Sequence, residues 1–156
     1  MATKLEVEEV ARQAASLVER ITKGLGADLE TRFQVEGETI SIAVEGPDSE
    51  IMLADNARLL YAINHVVNQI FYRRSKGRYN LIVDCDDYRT IRASELRLMA
   101  NKAAEQVRLT GRKISLQPMP STDRRIIHLT LADDGRVKTI SEGRGRYRRV
   151  LILPQN

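Results

Sequence analysis

The sequence contains one cysteine and two histidines, and these low counts exclude several kinds of site. Cys85 has no second cysteine with which to form an internal disulfide bond. His65 and His128 are too few to build a metal-ligand cluster, so neither a metal nor another cofactor is expected. Cys85 ends the strand-like run Leu-Ile-Val-Asp-Cys, which predicts a small buried apolar side chain rather than a nucleophile.

The sequence also lacks the features of membrane proteins and of common enzymes. No apolar run approaches the roughly 18 residues that a membrane span needs, and the N-terminus is acidic and amphipathic, unlike a signal peptide. We therefore expect a cytoplasmic protein that does not insert into a membrane. A P-loop, a carboxylate pair and a nucleophile motif are absent from the sequence as well. An enzyme, such as a nuclease with His128 as general base, is thus the weakest functional hypothesis.

Charge is distributed unevenly along the chain. Residues 1–76 carry 9 basic and 12 acidic side chains, a net charge of −3, whereas residues 77–156 carry 16 and 9, a net charge of +7. Such an imbalance favours a polyanionic partner for the basic half. The charge alone is equally compatible with a solvated surface that happens to be basic.

The first half has the pattern of a small mixed domain. Apolar residues at steps of three and four predict a helix over about 7–21 and a long helix over about 59–71. Between them lie two strand-like runs joined by a short hairpin turn at 36–38, then a loop and a short apolar stretch at 51–53. A strand at 79–85 completes the order helix, two strands, two helices, strand.

The second half predicts a helix over 88–110, a strand over 113–116, a short helix with Ser121 as its N-cap that runs to about Ala132, and two strands over 137–141 and 147–153. No flexible linker is visible at the junction. The fold class is therefore α+β, with two small α/β domains, residues 1–86 and residues 87–156, that are expected to abut directly.

The short helix carries the first functional motif. Arg124 and His128 are four residues apart and therefore lie side by side on one helical face. A guanidinium group beside an imidazole can hold a phosphate oxygen and stack against a base. Arg-x-x-x-His also occurs by chance in many helices, so the pair alone is weak evidence for a binding site.

The surroundings of this pair resemble a known domain. The segment Asp-Arg-Arg-Ile-Ile-His-Leu at 123–129, followed by Ser-Glu-Gly-Arg-Gly-Arg-Tyr-Arg-Arg-Val-Leu-Ile at 141–152, resembles the R-3-H domain, named for its Arg-x-x-x-His motif. The similarity covers roughly Asp87 to Leu153. It implies binding of single-stranded nucleic acid, with Arg124 and His128 as motif residues and 141–143 and 147–149 as the distal part of the signature.

The first half resembles a type II KH domain, and KH followed by R-3-H is the architecture of the bacterial Jag family (SpoIIIJ-associated, also called KhpB). The resemblance covers nearly the whole chain. It implies a cytoplasmic RNA-binding protein linked to control of the cell envelope and division. It also implies, as partners, single-stranded RNA and a small KH protein or a second copy of the chain.

One stretch departs from the family pattern. KH domains grip the nucleic-acid backbone with a Gly-x-x-Gly loop between two helices, and the aligned residues here are Ala54, Asp55, Asn56 and Ala57. Both glycines are missing, and Asp55 places a negative charge where phosphate would lie. We expect this half to bind RNA poorly or not at all, and to serve instead as a packing platform or a dimerisation surface.

A loop near the C-terminus holds four arginines in six residues around one aromatic side chain: Arg144, Arg146, Tyr147, Arg148 and Arg149. Arginine side chains contact phosphates, and the tyrosine ring offers a face for base stacking. The alternative is that these residues only flank the last strand. Strand alternation would then place the last two arginines on opposite faces, so Arg144 and Arg146 are the first choices for nucleic-acid contact.

These observations lead to two functional hypotheses. The first is a non-catalytic regulator that binds single-stranded nucleic acid, RNA or else single-stranded DNA, through the basic second domain. The preference for RNA over DNA comes from the family resemblance. The alternative is a protein-interaction adaptor or dimerisation module whose KH half has lost RNA binding.

Overall fold

The structure is a computed structural model that describes residues 4–155 and divides into two compact units, the first ending at Arg89 and the second beginning at Thr90. The predicted α+β class is confirmed. The elements of the chain are α1 (Lys4–Gly24), β1 (Glu30–Glu36), β2 (Thr39–Glu45), α2 (Ser49–Ser75), β3 (Asn80–Cys85), α3 (Tyr88–Thr110), β4 (Ile114–Ser115), α4 (Ser121–Thr130), β5 (Val137–Glu142) and β6 (Arg149–Pro154).

The sheet of the first unit has the strand order β1-β2-β3, with β1 and β2 antiparallel and β2 and β3 parallel. The predicted hairpin is present: Glu36 pairs with Thr39, and Gly37 has a φ of +61° in the two-residue turn between them. Alternate residues of β2 are buried under α1 and α2, because the helices contact one face of the sheet. The order predicted for this half is thus found.

Cys85 lies in the core of the first unit and is fully buried. Burial raises the pKa of its thiol to about 11, and the nearby carboxylates of Asp86 and Asp84 add to the effect. The thiolate, which is the reactive form, is therefore scarce at neutral pH. The prediction of a buried, unreactive side chain is confirmed.

Helix α2 is broken near its start by four non-helical residues. Ala54 is extended (φ −56°, ψ 152°), and Asp55, Asn56 and Ala57 are all left-handed, with φ between 51° and 57°. The two predicted helices are the parts on either side of this break. Ala57 is fully buried in the core despite its unfavourable backbone conformation. Packing of its methyl group thus helps to hold a turn that non-glycine residues rarely adopt.

Two asparagines of α2 cover the outer edge of β3. Asn64 accepts a hydrogen bond from the backbone N–H of Val83 at 2.9 Å, and Asn68 donates to the carbonyl of Leu81 at 2.7 Å. These side chains satisfy backbone groups that an edge strand otherwise leaves open. The sheet of this unit therefore has one covered edge, at β3, and one edge formed by β1.

The second unit packs α3 and α4 against a sheet of order β4-β6-β5 in which both strand pairs are antiparallel. The predicted order of elements is found, with two corrections. Ser121 is the first residue of α4 rather than its N-cap, because the carbonyl of Pro120 already accepts the helical hydrogen bond from the N–H of Arg124. The last strand begins at Arg149 instead of residue 147, because Gly145–Tyr147 form a 3-10 turn.

Candidate nucleic-acid interface

Helix α4 presents Arg124 and His128 to strand β5. The helix is amphipathic: Ile127 is fully buried in the core, and the two motif residues, one and three positions away, are partly buried beside it. The strand contributes its inward-facing alternate residues, Thr139 and Ser141. Two polar side chains of the helix thus meet two hydroxyl groups of the strand.

Four side chains form one hydrogen-bonded network at this contact. Nη1 of Arg124 donates to Oγ of Ser141 at 3.1 Å, and Nε2 of His128 lies 2.9 Å from the same oxygen. Nδ1 of His128 lies 2.6 Å from Oγ1 of Thr139. The Ser141 hydroxyl therefore joins the two residues of the Arg-x-x-x-His motif.

A second set of hydrogen bonds fixes Arg124 from the turn before α4. Its Nε donates to the carbonyl of Met119 at 3.3 Å, and the N–H of Met119 donates to the carbonyl of Arg148 at 3.1 Å. The backbone of Arg148 is extended, so strand alternation places its side chain on the same face as Val150, which pairs with Ser141. The structure thus brings Arg124, His128 and Arg148 to one face of the second unit.

The electrostatics of the site keep His128 neutral. Burial of the imidazole and, after it, the positive charge of Arg124 lower the pKa of His128 below its usual value of 6.5. The residues of β5 that face the ring are uncharged hydroxyls. In an unliganded site at neutral pH, the Arg124 cation therefore lies beside a neutral ring.

The loop between β5 and β6 is tightly closed. Gly143 has a φ of +92°, and a Cβ at this position would come within 2.8 Å of the carbonyl oxygen of Tyr147. Nη1 of Arg148 donates to the carbonyl of Gly143 at 3.2 Å, which ties the two ends of the loop together. The loop residues between them are held out from the sheet as a short, defined turn.

Three predicted contact residues lie exposed in this loop. Tyr147 is 65% exposed, and the guanidinium of Arg146 lies over its ring at 5.0 Å from the centroid while donating to its hydroxyl at 2.9 Å. Arg144 is exposed, and its side chain has no hydrogen-bond or ion-pair partner within residues 4–155. A cation and an aromatic face are therefore available to solvent side by side.

Arg149 is separated from the other predicted residues. Its Nη2 lies 3.5 Å from Oε2 of Glu142, its partner across the β5–β6 pair. Both residues are on the face of the sheet opposite Ser141 and Val150, as strand alternation requires. The arginine pair of the sequence is thus divided: Arg148 faces the motif residues, and Arg149 faces away with its charge partly neutralised.

The turn at residues 54–57, where a degenerate Gly-x-x-Gly loop is expected, has its own ion pair. Oδ2 of Asp55 accepts from Nη1 of Arg58 at 3.2 Å, and both side chains are well exposed. The carboxylate thus stands beside the left-handed turn, and the nearest basic side chain is engaged with it. Ala54, Asn56 and Ala57 add no positive charge.

Thr139 and Met119 are site residues that the sequence motif did not mark as such, and Ser141 was noted only as part of the distal signature. The alternation of Val137, Thr139 and Ser141 on β5 is a signal for the two hydroxyls. Within the described residues, no helix has the length and apolar character to cross a bilayer. The same residues contain no group of three or more side chains suited to bind a metal.

Comparisons with known proteins identify the domain to which these residues belong. Residues 94–154, which include every residue of the network, match the sequence model of the R-3-H domain family. The second unit is therefore built around an R-3-H domain.

Several curated relatives cover nearly the whole chain. RNA-binding protein KhpB of Bacillus subtilis is 31% identical over 144 residues, which are 90% of this chain and 69% of the relative. RNA-binding protein KhpB of Lactiplantibacillus plantarum is 30% identical over 147 residues, or 93% of this chain and 45% of the relative. The protein of the same name from Clostridium symbiosum is 26% identical over 147 residues, with 93% and 66% covered.

The chain thus belongs to the KhpB family, and the predicted resemblance to the Jag family, another name for it, is confirmed. It spans about half the length of the relative from L. plantarum and about two thirds of the other two.

Proposed function

We propose that this chain is a non-catalytic, cytoplasmic regulator that binds single-stranded RNA through its R-3-H domain. The observation that carries the proposal is the anchoring of Arg124. Met119 and Ser141 hold its guanidinium in place, yet the side chain is only partly buried. A cation that is held in one position and still accessible is suited to bind a phosphate with little loss of conformational entropy. The names of the relatives, RNA-binding protein KhpB, support RNA as the ligand.

The exposed loop is proposed as the second part of the interface. Arg144 and Arg146 would neutralise phosphates, Arg148 would extend the cation path from the face of Arg124, and Tyr147 would stack on a base. If about four phosphates are neutralised, the logarithm of affinity should fall against the logarithm of salt concentration with a slope near −3, as for single strands. Affinity would then be mostly electrostatic, with little base readout.

We also propose the division of labour between the two halves. Residues 87–156 form the RNA-binding domain. Residues 1–86 form a KH-like domain whose degenerate Gly-x-x-Gly loop no longer binds the nucleic-acid backbone. The exposed carboxylate of Asp55 supports this division, because it would repel phosphate and already forms an ion pair with Arg58. A side chain on each residue of the left-handed turn also keeps a phosphate further from the backbone N–H groups than glycine would.

The proposal is tested by measuring binding of a fluorescent single-stranded RNA at fixed salt. Arg124→Ala is expected to weaken binding roughly tenfold or more, because a charge-assisted hydrogen bond to phosphate is lost. Arg125→Ala is the matched control, since this substitution removes the same charge from an exposed residue of the same helix. Equal RNA affinities of the two variants would show that the face of α4 with Arg124 and His128 is not part of the interface. The same measurements with single-stranded DNA test whether the protein prefers RNA.

A protein-interaction or dimerisation role for the first unit is the second candidate function. The observation that favours it is the edge formed by β1, on which Phe33 is 39% exposed at the middle of the strand. A second copy of the chain or a small KH protein could add a strand there. Light scattering that gives a monomer mass, together with loss of all co-purifying proteins after nuclease treatment, would contradict this role.

A further inference from the structure

The ring of His128 has no nitrogen left for a ligand. Nδ1 is within hydrogen-bond distance of Thr139 and Nε2 is within hydrogen-bond distance of Ser141, at 2.6 and 2.9 Å. A direct hydrogen bond from His128 to phosphate would therefore cost one of these two contacts. This distinguishes the histidine from its motif partner.

Arg124 keeps donors available. A guanidinium group has five N–H bonds, and two of them, one on Nε and one on Nη1, point to Met119 and Ser141. Within residues 4–155 the other three have no protein acceptor. Arg124 can thus contact a phosphate without giving up the hydrogen bonds that hold it.

The direction of the Ser141 hydroxyl depends on the proton state of His128. Arginine always donates, so Oγ of Ser141 accepts from Arg124 in every state. In the neutral tautomer with its proton on Nδ1, Nε2 of His128 accepts the Ser141 proton, and the hydroxyl points toward the ring. In the other neutral tautomer Nε2 donates to Ser141 and Nδ1 accepts from Thr139, so the hydroxyl is free to point outward. When the ring is protonated, both of its nitrogens donate. Oγ of Ser141 then accepts from both motif residues, and its own proton must point away from them.

We propose, on the basis of the RNA-binding function above, that Arg124 and the Ser141 hydroxyl are the groups of the motif that contact phosphate. His128 is a positioning residue that acts through Ser141: protonation fixes Nε2 as a donor, which only one of the two neutral tautomers provides, and so keeps that hydroxyl turned outward as a donor. RNA binding at this site is thereby coupled to the uptake of one proton from solvent.

The charges around His128 support this coupling. Arg124 on its own helix opposes protonation, and Arg148 before β6 adds a further positive charge on this face, whereas β5 presents only the neutral Thr139 and Ser141. Lys138 and Glu142 lie on the opposite face of the sheet. A bound phosphate would supply the missing negative charge and raise the pKa of His128 toward or above its usual value. Binding tightens as the pH falls below the new pKa, and each unit of the rise contributes about tenfold once the pH is also below the pKa of the RNA-free protein.

The test is the pH profile of RNA affinity between pH 5.5 and 8 at fixed salt. Wild-type protein is expected to bind about tenfold more tightly at the acidic end. His128→Gln should remove this dependence, because the glutamine amide can donate to Ser141 but does not titrate. Ser141→Ala should also flatten the profile although His128 is present. Arg124→Ala should bind weakly at every pH.

Two results would overturn the inference: a wild-type affinity that does not change with pH, or a Ser141→Ala variant that keeps the wild-type profile. Equal losses of RNA affinity at pH 8 in His128→Gln and Arg124→Ala would also overturn the inference, because they would show that the histidine contacts RNA directly. Absence of RNA binding by wild-type protein at all pH values would instead reject the proposed function itself.

A measurement on unmodified protein covers the case in which a variant fails to fold. The chain has two histidines, so NMR titration of the ring signals separates His128 from His65. The pKa of His128 should rise when single-stranded RNA is added. An unchanged pKa of His128 at saturating RNA would overturn the proposed coupling.

Discussion

Arg92 of α3 donates through Nε to Oδ2 of Asp123 at 3.0 Å, and the carboxylate of Asp123 is 1% exposed. Asp123 immediately precedes the first motif residue, so this ion pair attaches the N-terminal turn of α4 to α3. A buried carboxylate of this kind is stable only with its partner, because removal of either group leaves a desolvated charge. The pair therefore supports the position of Arg124 without contacting a ligand.

Asp123→Ala is predicted to lower the free energy of unfolding by about 3 kcal/mol, because Arg92 is left partly buried without this carboxylate. Urea denaturation followed by circular dichroism measures the change. Arg92→Met should cost a similar amount, and the double variant should cost less than the sum of the two. Strict additivity would show that the two residues do not stabilise each other.

The left-handed turn in α2 makes a prediction about one asparagine. Asn56→Ala should destabilise the protein by about 1 kcal/mol, because alanine tolerates a positive φ less well than asparagine. Asn101→Ala is the control: this residue is exposed inside α3, where alanine has the higher helix propensity, so the same change should stabilise slightly. If urea denaturation showed that both variants change the free energy of unfolding in the same direction, the left-handed turn would be contradicted.

The division of Arg148 from Arg149 predicts unequal effects on RNA affinity. Arg148→Ala should weaken binding several-fold, because its side chain is on the face of Arg124 and it also closes the loop through Gly143. Arg149→Ala should change affinity by less than about twofold, since this residue faces away and pairs with Glu142. Fluorescence anisotropy with one RNA at one salt concentration measures both. A larger loss for Arg149→Ala would place the interface on the other face of the sheet.

The lowered pKa of His128 also predicts how stability depends on pH in the absence of RNA. Above pH 6.5 the ring is neutral in both folded and unfolded chains, so it contributes no pH dependence. As the pH falls below 6.5, the unfolded chain binds the proton first, and stability decreases until the folded pKa is reached. The free energy of unfolding of wild type should therefore fall, relative to His128→Gln, between pH 7 and 5. A difference that stays constant over this range would contradict the lowered pKa.

Much of this architecture could be predicted from sequence, because periodicity reports directly which face of an element is buried. The alternation in β2 and the stripes of α1 and α2 gave elements with nearly correct bounds, and the alignment of residues 54–57 with a loop between two helices, taken from the family resemblance, marked the break in α2. The left-handed conformation at 55–57 was not predictable, since it depends on burial of the Ala57 methyl group in a core assembled from distant residues.

The site was predictable in part for the same reason. Helical spacing placed Arg124 beside His128, and strand alternation separated Arg148 from Arg149. The network itself depends on how α4 packs on β5, a contact between residues 11 to 17 positions apart for which no local pattern exists. The ion pair of Arg92 and Asp123 joins residues 31 positions apart, and neither neighbourhood indicates a partner.

The asparagines that cover β3 have a consequence for how large any assembly of the first unit can become. A ribbon of sheets that grows without limit needs two open edges on every member, one to accept a strand and one to offer the next. Asn64 and Asn68 close one of these edges. Association through β1 would therefore stop at a pair of molecules, so the fold itself protects this family member against polymerisation through its sheet.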